Sequence, residues 1–327
     1  MSHGAMPCAH PVLPRRAQRG AALLQAMLTV ALVATFSAAA AWQQWRGIEV
    51  GSAERQRQQA SWILVGALDW ARLILREDAR SGGADHLSEP WAIPLAEARL
   101  STFLAAEQGV ATTGDGIDLP EVFLAGQITD LQSRLNLTNL AATRSDDEPA
   151  YAEFERLFEQ LGLPPAELAT LTAALRSASD ARPEARANPA PLMPTRVEQL
   201  AWLGLSDASL RVLAPHVSLL PVTTPLNLNT ASAERIAAVA PGLGLADAQR
   251  LVAERERSHL RSVADAAQRL QLRDNPFNDT RFSVNSRFFE VRGRLRIESR
   301  VIEERSLVRR DGIDVKVVWR ERVAAPS

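Results

Sequence analysis

Between Ala21 and Trp42 the chain reads AALLQAMLTVALVATFSAAAAW, 22 consecutive residues without a charge. At about 1.5 Å per residue, a helix of that length crosses a hydrocarbon layer of ~30 Å. A polar stretch, Gly47 to Gln59, extends this helix beyond the layer. From Ser61 to Asp78 the spacing predicts an amphipathic helix. Ile63, Ala67, Trp70 and Ile74 form one row, Leu64, Leu68, Ala71 and Leu75 the row beside it, and Asp69, Arg72 and Arg76 the opposite face. Such a stripe faces a core, so Trp62 and Trp70 are assigned to packing and not to a ligand. Ser81-Gly82-Gly83 ends the helix, and an irregular stretch with Pro90 and Pro94 leads into helix or strand pieces up to Gly109. Thr112 to Asp118 (TTGDGID) is turn chemistry, without the alternating oxygen ligands and closing glutamate of a calcium loop.

Ala125 to Leu137 predicts an extended segment, and from there to about Leu270 the period becomes helical. Phe154, Leu157, Phe158 and Leu161 make one apolar face. Pro164-Pro165 opens the next helix, where proline is well tolerated, and that helix carries Leu168, Leu171 and Leu175. Residues 180–194 (DARPEARANPAPLMP) contain four prolines and form a linker or surface loop. Short helices are predicted at Val197–Leu203, Asp207–His216, Ala231–Ala240, Leu245–Ser258 and Val263–Leu270. The C-terminus then changes to period two: Phe289, Val291, Leu295 and Ile297 alternate with Glu290, Arg292, Arg294 and Arg296. A second strand covers Val301 to Arg309, Asp311-Gly312 marks a hairpin, and Val315 to Trp319 returns as a third. An early strand and a late antiparallel sheet, separated by a helical block, predict an α+β fold with an all-α domain inserted into it.

Composition narrows the function. A formal charge of -1 excludes a chain that is basic throughout, as nucleic-acid binders usually are. Lys316 is the only lysine, so the positive charge is almost all arginine. The single cysteine, Cys8, permits neither an intramolecular disulfide nor a thiolate metal cluster.

The N-terminal segment has three readings. Arg15, Arg16 and Arg19 precede the apolar run, with no acid among the first twenty residues, and hold the N-terminus in the cytoplasm. The run is then a permanent single-pass anchor, a secretory signal cut near Ala39-Ala40-Ala41, or the start of a mature chain released by cleavage before it. In the last case the cut falls between Gly20 and Ala21, and the order Arg15-Arg16-Ala17-Gln18-Arg19-Gly20-Ala21-Ala22-Leu23-Leu24-Gln25 resembles a prepilin leader. Position five of that mature chain, a glutamate in most pilin-like subunits, is Gln25, which accepts a hydrogen bond but carries no charge.

Several further stretches resemble general secretion pathway protein K, the K-type minor pseudopilins of bacterial type II secretion. Asp85 to Ala92 (DHLSEPWA) is similar to a short signature ahead of the first strand. Asp130, Gln132, Arg134, Asn136, Leu137, Asn139 and Leu140 resemble the family's D-x-Q-x-R-x-N-L-x-N-L motif, with Ser133 where glycine is usual. Leu226-Asn227-Leu228-Asn229-Thr230-Ala231 is similar to the motif of the inserted helical domain, and FFEVRGRLRI with the Arg310-Asp311-Gly312 hairpin to the closing sheet. The absence of the position-five glutamate is itself a feature of K-type subunits.

The resemblance implies a basic leader (1–20), a hydrophobic anchor and fibre-core helix (21–57), a pilin-like α+β domain (58–140) interrupted by a helix-hairpin-helix or SAM-like insert (141–270), and a completing antiparallel sheet (271–327). It implies a subunit held in the inner membrane by a single pass, with its bulk in the periplasm and no catalytic activity. Its place is the pseudopilus tip beside the I- and J-type minor pseudopilins, where it helps to initiate and cap the fibre after maturation by prepilin peptidase. No nucleotide-binding G-x-x-x-x-G-K-[ST] loop is present. Some members bind calcium through an acidic loop in the insert; here the corresponding LTAALRSASDARPEA holds only Asp180 and Glu184, so that site is not carried over, since calcium takes six to eight oxygens. Asp274, Asn275, Asn278 and Asp279 read as a capped turn.

Three other functions compete. Ile236 to Arg255 resembles a helix-hairpin-helix around Pro241-Gly242-Leu243-Gly244, which in a tethered DNA receptor contacts phosphates. Asp247 stands where a phosphate would approach, and Glu234 and Glu254 dilute Arg235 and Arg250. A type IV pilus-related component is a further alternative. For an enzyme, His86, His216 and His259 lie far apart in sequence without metal-ligand spacing, and no G-x-S-x-G, H-E-x-x-H or cysteine nucleophile is present. His216 reads as a favourable dipole contact near a helix C-terminus, and Asp146-Asp147-Glu148 as a solvated loop.

Overall fold

A computed structural model describes residues 18–101, 121–180, 191–298 and 300–323. The turn expected at Thr112–Asp118 and the centre of the proline-rich linker lie outside the described residues, as do residues 1–17. The chain divides at Trp62/Ile63 into two units.

The first unit is most of one long helix, α1, Gln18–Ser81. Its apolar side chains project outward on every side: Leu24 is 70% exposed, Leu28 62%, Val33 65% and Phe36 71%. No window of this segment is buried. Trp42 and Trp45 close the apolar run, with ring centroids 5.5 Å apart. The polar stretch Gly47–Gln59 continues as helix, as its composition predicts.

In the second unit, the last third of α1 turns the predicted row inward. Leu64, Leu68, Ala71 and Leu75 are buried, while Trp62 is exposed. The row packs on a five-stranded antiparallel sheet ordered β1-β2-β7-β8-β9. These strands are Leu95–Arg99, Val122–Asp130, Phe288–Ile297, Arg300–Asp311 and Asp314–Val323. β2 pairs with β7 from Val122↔Ile297 to Asp130↔Phe289, so the early strand enters the late sheet beside its first strand. β8 and β9 meet at Asp311↔Asp314 with Gly312 at positive φ, the turn that the Asp-Gly pair predicts.

Gly126 and Gly293 are direct cross-strand partners. A Cβ at Gly293 would stand 3.1 Å from Leu64 Cδ2, so the bare backbone there lets α1 close onto the sheet. Leu68, Ala71, Leu75, Ile128, Phe289, Val291, Val308 and Val315 complete this core around Trp91, which meets Phe289 edge-on at 5.2 Å.

The expected strand through Leu137 stops at Asp130. Its carboxylate accepts the Gln132 amide, which folds Leu131–Ser133 into a 3-10 turn, and β3 (Leu135–Asn136) and α2 (Leu137–Ala141) follow. Alternation could not show this break, because the side chain that causes it also fits a strand pattern.

Helices then build a second core: α3 Pro149–Gln160, α4 Pro165–Ser179, α5 Asp207–Leu213, α6 Ala233–Val239, α7 Leu245–Arg257 and α8 Val263–Leu270. Proline begins α3 and α4, and Ser262 with Asp265 makes a capping box on α8. The predicted helix at Val197–Leu203 is 3-10. Two-residue parallel pairs tie the block to itself: β3 with β4 (Val217–Ser218), and β5 (Leu226–Asn227) with β6 (Phe282–Ser283). Phe154, Phe158, Leu171 and Leu175 share this core with Phe277 and Phe282, whose rings meet edge-on.

Gly204 ends the Val197–Leu203 turn at φ 91°, and a Cβ there would lie 2.8 Å from Thr170 Cγ2 on α4. Gly204→Ala combines left-handed strain with that clash. It is expected to lower unfolding stability by about 1–3 kcal/mol in urea titrations, against little effect for Gly162→Asn, a position with open space around it.

Candidate functional site

Asp130, at the end of β2, is 2% exposed. One oxygen accepts the Gln132 amide at 2.7 Å. The other accepts the Thr230 hydroxyl at 2.5 Å, the Ser286 hydroxyl at 2.6 Å and the Asn227 amide at 3.1 Å. A buried carboxylate is costly unless donors replace its water, and these come from three separate stretches of chain. Burial still wins: it pushes the Asp130 carboxyl up to about 6, against the hydrogen bonds of Ser286, Thr230 and Gln132.

The carboxamides around it act as detached peptide groups. Asn139 donates to Thr224 O at 2.8 Å and accepts Thr224 N at 3.0 Å. Asn229 does the same with Leu260, at 2.9 and 2.8 Å. Asn136 accepts the amides of Thr138 and Leu220 while donating to Val222 O and Thr224 Oγ1. Gln132 joins Pro225 O to the Arg287 amide. One amide offers a donor and an acceptor side by side, which is what a backbone strand edge needs when no second strand can reach it.

Next to this lies an ionic layer. Arg310 on β8 donates to both oxygens of Asp85 at 2.5 and 2.6 Å, to Asp78 at 2.6 Å and to Ser286 O at 2.8 Å. Its guanidinium also covers the Phe289 ring. Asp85 accepts the Ser286 amide as well, so Ser286 links the two layers. Glu89 holds the His86 amide and the Trp91 indole N–H. The arrangement is a lock between α1, the sheet and the helical block, in which the Ser286 and Thr230 hydroxyls are themselves held by the buried Asp130 carboxylate.

Six of the seven predicted motif side chains therefore meet in this network: Asp130, Gln132, Asn136, Asn139, Asn227 and Asn229. Arg134 does not; it lines a cleft beside Glu290 and Arg305 and makes no side-chain hydrogen bond or ion pair with any described residue. Gln25 lies exposed on α1, and Gly20 and Ala21 lie within the same helix. Asp85, Glu89, Trp91, Thr230 and Arg310 stand inside the quoted motifs without roles assigned to them, and Ser286 stands in none. Nothing local marks Ser286 or Arg310, since Arg310 is one of four arginines in its strand, with Arg300, Arg305 and Arg309.

Other expectations resolve physically. His86 and His259 are far apart in sequence, yet their rings stack at 4.0 Å and 10°. His216 ends the 3-10 turn Ala214–His216, as expected of a helix end; burial and then Arg235 push its imidazole down, and Nδ1 has no partner. In the helix-hairpin-helix, Arg235 donates to Ser133 O and Pro215 O, Arg255 to Leu228 O, and Arg250 to Leu270 O. Its cations hold the fold and do not form a phosphate-facing row. Asn275 and Asn278 cap turns at Phe277 and Arg281. Among the described residues, Asp78, Asp85 and Glu89 are the acids whose oxygens converge. Arg310 already bridges two of them, so three carboxylates around a guanidinium do not fit calcium's need for six to eight free oxygens.

Asn229→Asp keeps the shape and removes the donor to Leu260 O. It is expected to cost at least ~2 kcal/mol in denaturant unfolding, with Asn229→Ala no worse. For Asp130 the folded carboxyl titrates near 6 and the unfolded one near 3.8. The folded state therefore holds the proton more tightly, and this contribution is full below about 4 and lost as pH rises through about 6. Between pH 4 and 7 the stability of Asp130→Asn should gain on the parent by up to about 3 kcal/mol, as read by paired thermal melts; parallel curves would contradict the assignment.

Family profiles described as type II secretion system protein K match residues 133–222 and 226–285. The chain is similar to type II secretion system protein K of Pseudomonas aeruginosa, 30% identical over 302 residues that cover 85% of this chain and 84% of the relative. The Klebsiella pneumoniae protein of the same name is 30% identical, covering 93% and 96%. The fold matches a chain in the crystal structure of the GspK-GspI-GspJ complex from the enterotoxigenic Escherichia coli type 2 secretion system, with TM-score 0.65, 19% identity, and coverage of 84% of this chain and 99% of that one. The chain belongs to the type II secretion system protein K family, the minor pseudopilins that its sequence motifs resemble.

Proposed function

We propose that this chain is a non-catalytic tip subunit of the pseudopilus, made in the inner membrane and matured by prepilin peptidase between Gly20 and Ala21. The observation that carries the reading is the first part of α1, which exposes apolar side chains around its whole circumference over a membrane's thickness. Before assembly a bilayer covers that surface; in a fibre, a bundle of like helices does. Trp42 and Trp45, followed by Arg46, suit the headgroup layer at the far side. The folded remainder then lies in the periplasm.

Gln25 supports a terminal position. A buried carboxylate in an apolar bundle needs a partner cation, and a subunit with none above it has no use for one. Residues 141–270 act as an insert within a pilin-like domain of residues 58–140 and 271–327, too bulky to stack inside the fibre. The solved neighbour is a three-subunit complex, which supports I- and J-type subunits as the partners here. Nucleic acid and small-molecule substrates play no part.

The N-terminal sequence and intact mass of the protein recovered from membranes test this. A chain starting at Ala21 is expected, and a start near Trp42 would end the tip-subunit reading. Gln25→Glu is expected to leave cleavage unchanged, because position five acts in packing after the cut.

A further inference from the structure

Arg134 is the one motif side chain that the buried lock does not use. It stands beside a cleft of about 170 Å³ lined also by Arg196, Glu198, Ser218, Glu290 and Arg305, with Trp319 as one wall. The other charges there pair off. Arg196 meets Glu321 at 2.6 Å, Arg305 meets Glu321 at 2.6 Å and Glu198 at 3.0 Å, and Glu290 meets Arg292 at 3.2 Å. Arg134 is left over. Burial, with Arg292 and Arg305, holds its guanidinium below the ordinary range, and Glu290 only partly opposes them.

Two further groups point the same way. Ser218, 2% exposed and in the cleft wall, has a hydroxyl oxygen with no partner. Arg235 turns both terminal nitrogens to backbone carbonyls, leaves Nε unpartnered, and reinforces the positive field at Arg134. Buried donors without acceptors are rare and costly, so the site lacks an acceptor. The surplus is one guanidinium charge near Glu290, which is itself paired with Arg292. A single planar carboxylate matches it in charge and in fork geometry; a phosphate dianion would overfill it.

We propose that the Arg134–Ser218 cleft is a docking site for one carboxylate, presented by an acidic side chain of a partner chain. Only the source of that carboxylate rests on the assembly reading above.

The probe is N-acetyl-glutamate N-methylamide, compared with its glutamine counterpart, by saturation-transfer NMR on the full chain in detergent micelles. The glutamate compound is expected to bind about tenfold more tightly, with that preference lost in Arg134→Gln, partly kept in Arg134→Lys and reduced in Ser218→Ala. Equal binding of the two compounds, or an unchanged preference in both Arg134→Gln and Ser218→Ala, would overturn the site. In a complex reconstituted with I- and J-type subunits, Arg134→Gln should weaken association about tenfold. Unweakened association would overturn the partner assignment. If the parent chain forms no complex while it still prefers the glutamate compound, the assembly reading fails and the carboxylate site stands.

Discussion

Asp130 sits where no water can solvate it, and its charge is carried by donors from Gln132, Asn227, Thr230 and Ser286. Those donors belong to the turn after β2, to the helical block and to the approach to β7. The carboxylate keeps its partners only if all three segments are in place, and each segment would leave a buried polar group orphaned if it moved. The same residue also ends β2 and folds the chain into the 3-10 turn that starts the helical block. One side chain thus fixes both where the strand stops and what the departing chain returns to.

The ionic layer extends this lock to α1. Arg310 joins Asp78, near the end of α1, to Asp85 and to the Ser286 carbonyl. A buried ion pair adds little net stability against an apolar alternative, but breaking one is expensive. Its consequence here is specificity of arrangement. Gly293, whose Cβ would crowd Leu64, and the Trp91 core set how closely the amphipathic part of α1 approaches the sheet. Apolar packing brings the helix and sheet together, and the polar layer selects one register.

For a subunit of an assembly, a rigid junction of this kind has a physical use. The sheet is joined to the helical block by directed hydrogen bonds between Asp130 and Gln132 on one side and Asn227, Thr230 and Pro225 on the other. The family motif is best understood as this junction, since six of its seven side chains find hydrogen-bond partners inside the molecule. Arg134 departs from that pattern: half-buried at a cleft, it has no side-chain hydrogen bond or ion pair with any described residue.

By itself the sequence determined the apolar span from Ala21 to Trp42, the inward row on α1, the Asp311-Gly312 hairpin, most helix positions and the α+β order with helices between an early strand and a late sheet. Each is set by local periodicity, capping or turn chemistry, which a few consecutive residues carry. The motif's asparagines were visible as a pattern, but their role as substitute peptide groups was not, because their partners Thr224 and Leu260 lie tens of residues away. The break after Asp130, the stacking of His86 on His259 and the joining of Ser286 and Arg310 to Asp130 and Asp85 were decided only by tertiary structure. A buried polar atom's partner is chosen by where the chain returns in space, and that choice leaves no period in the sequence.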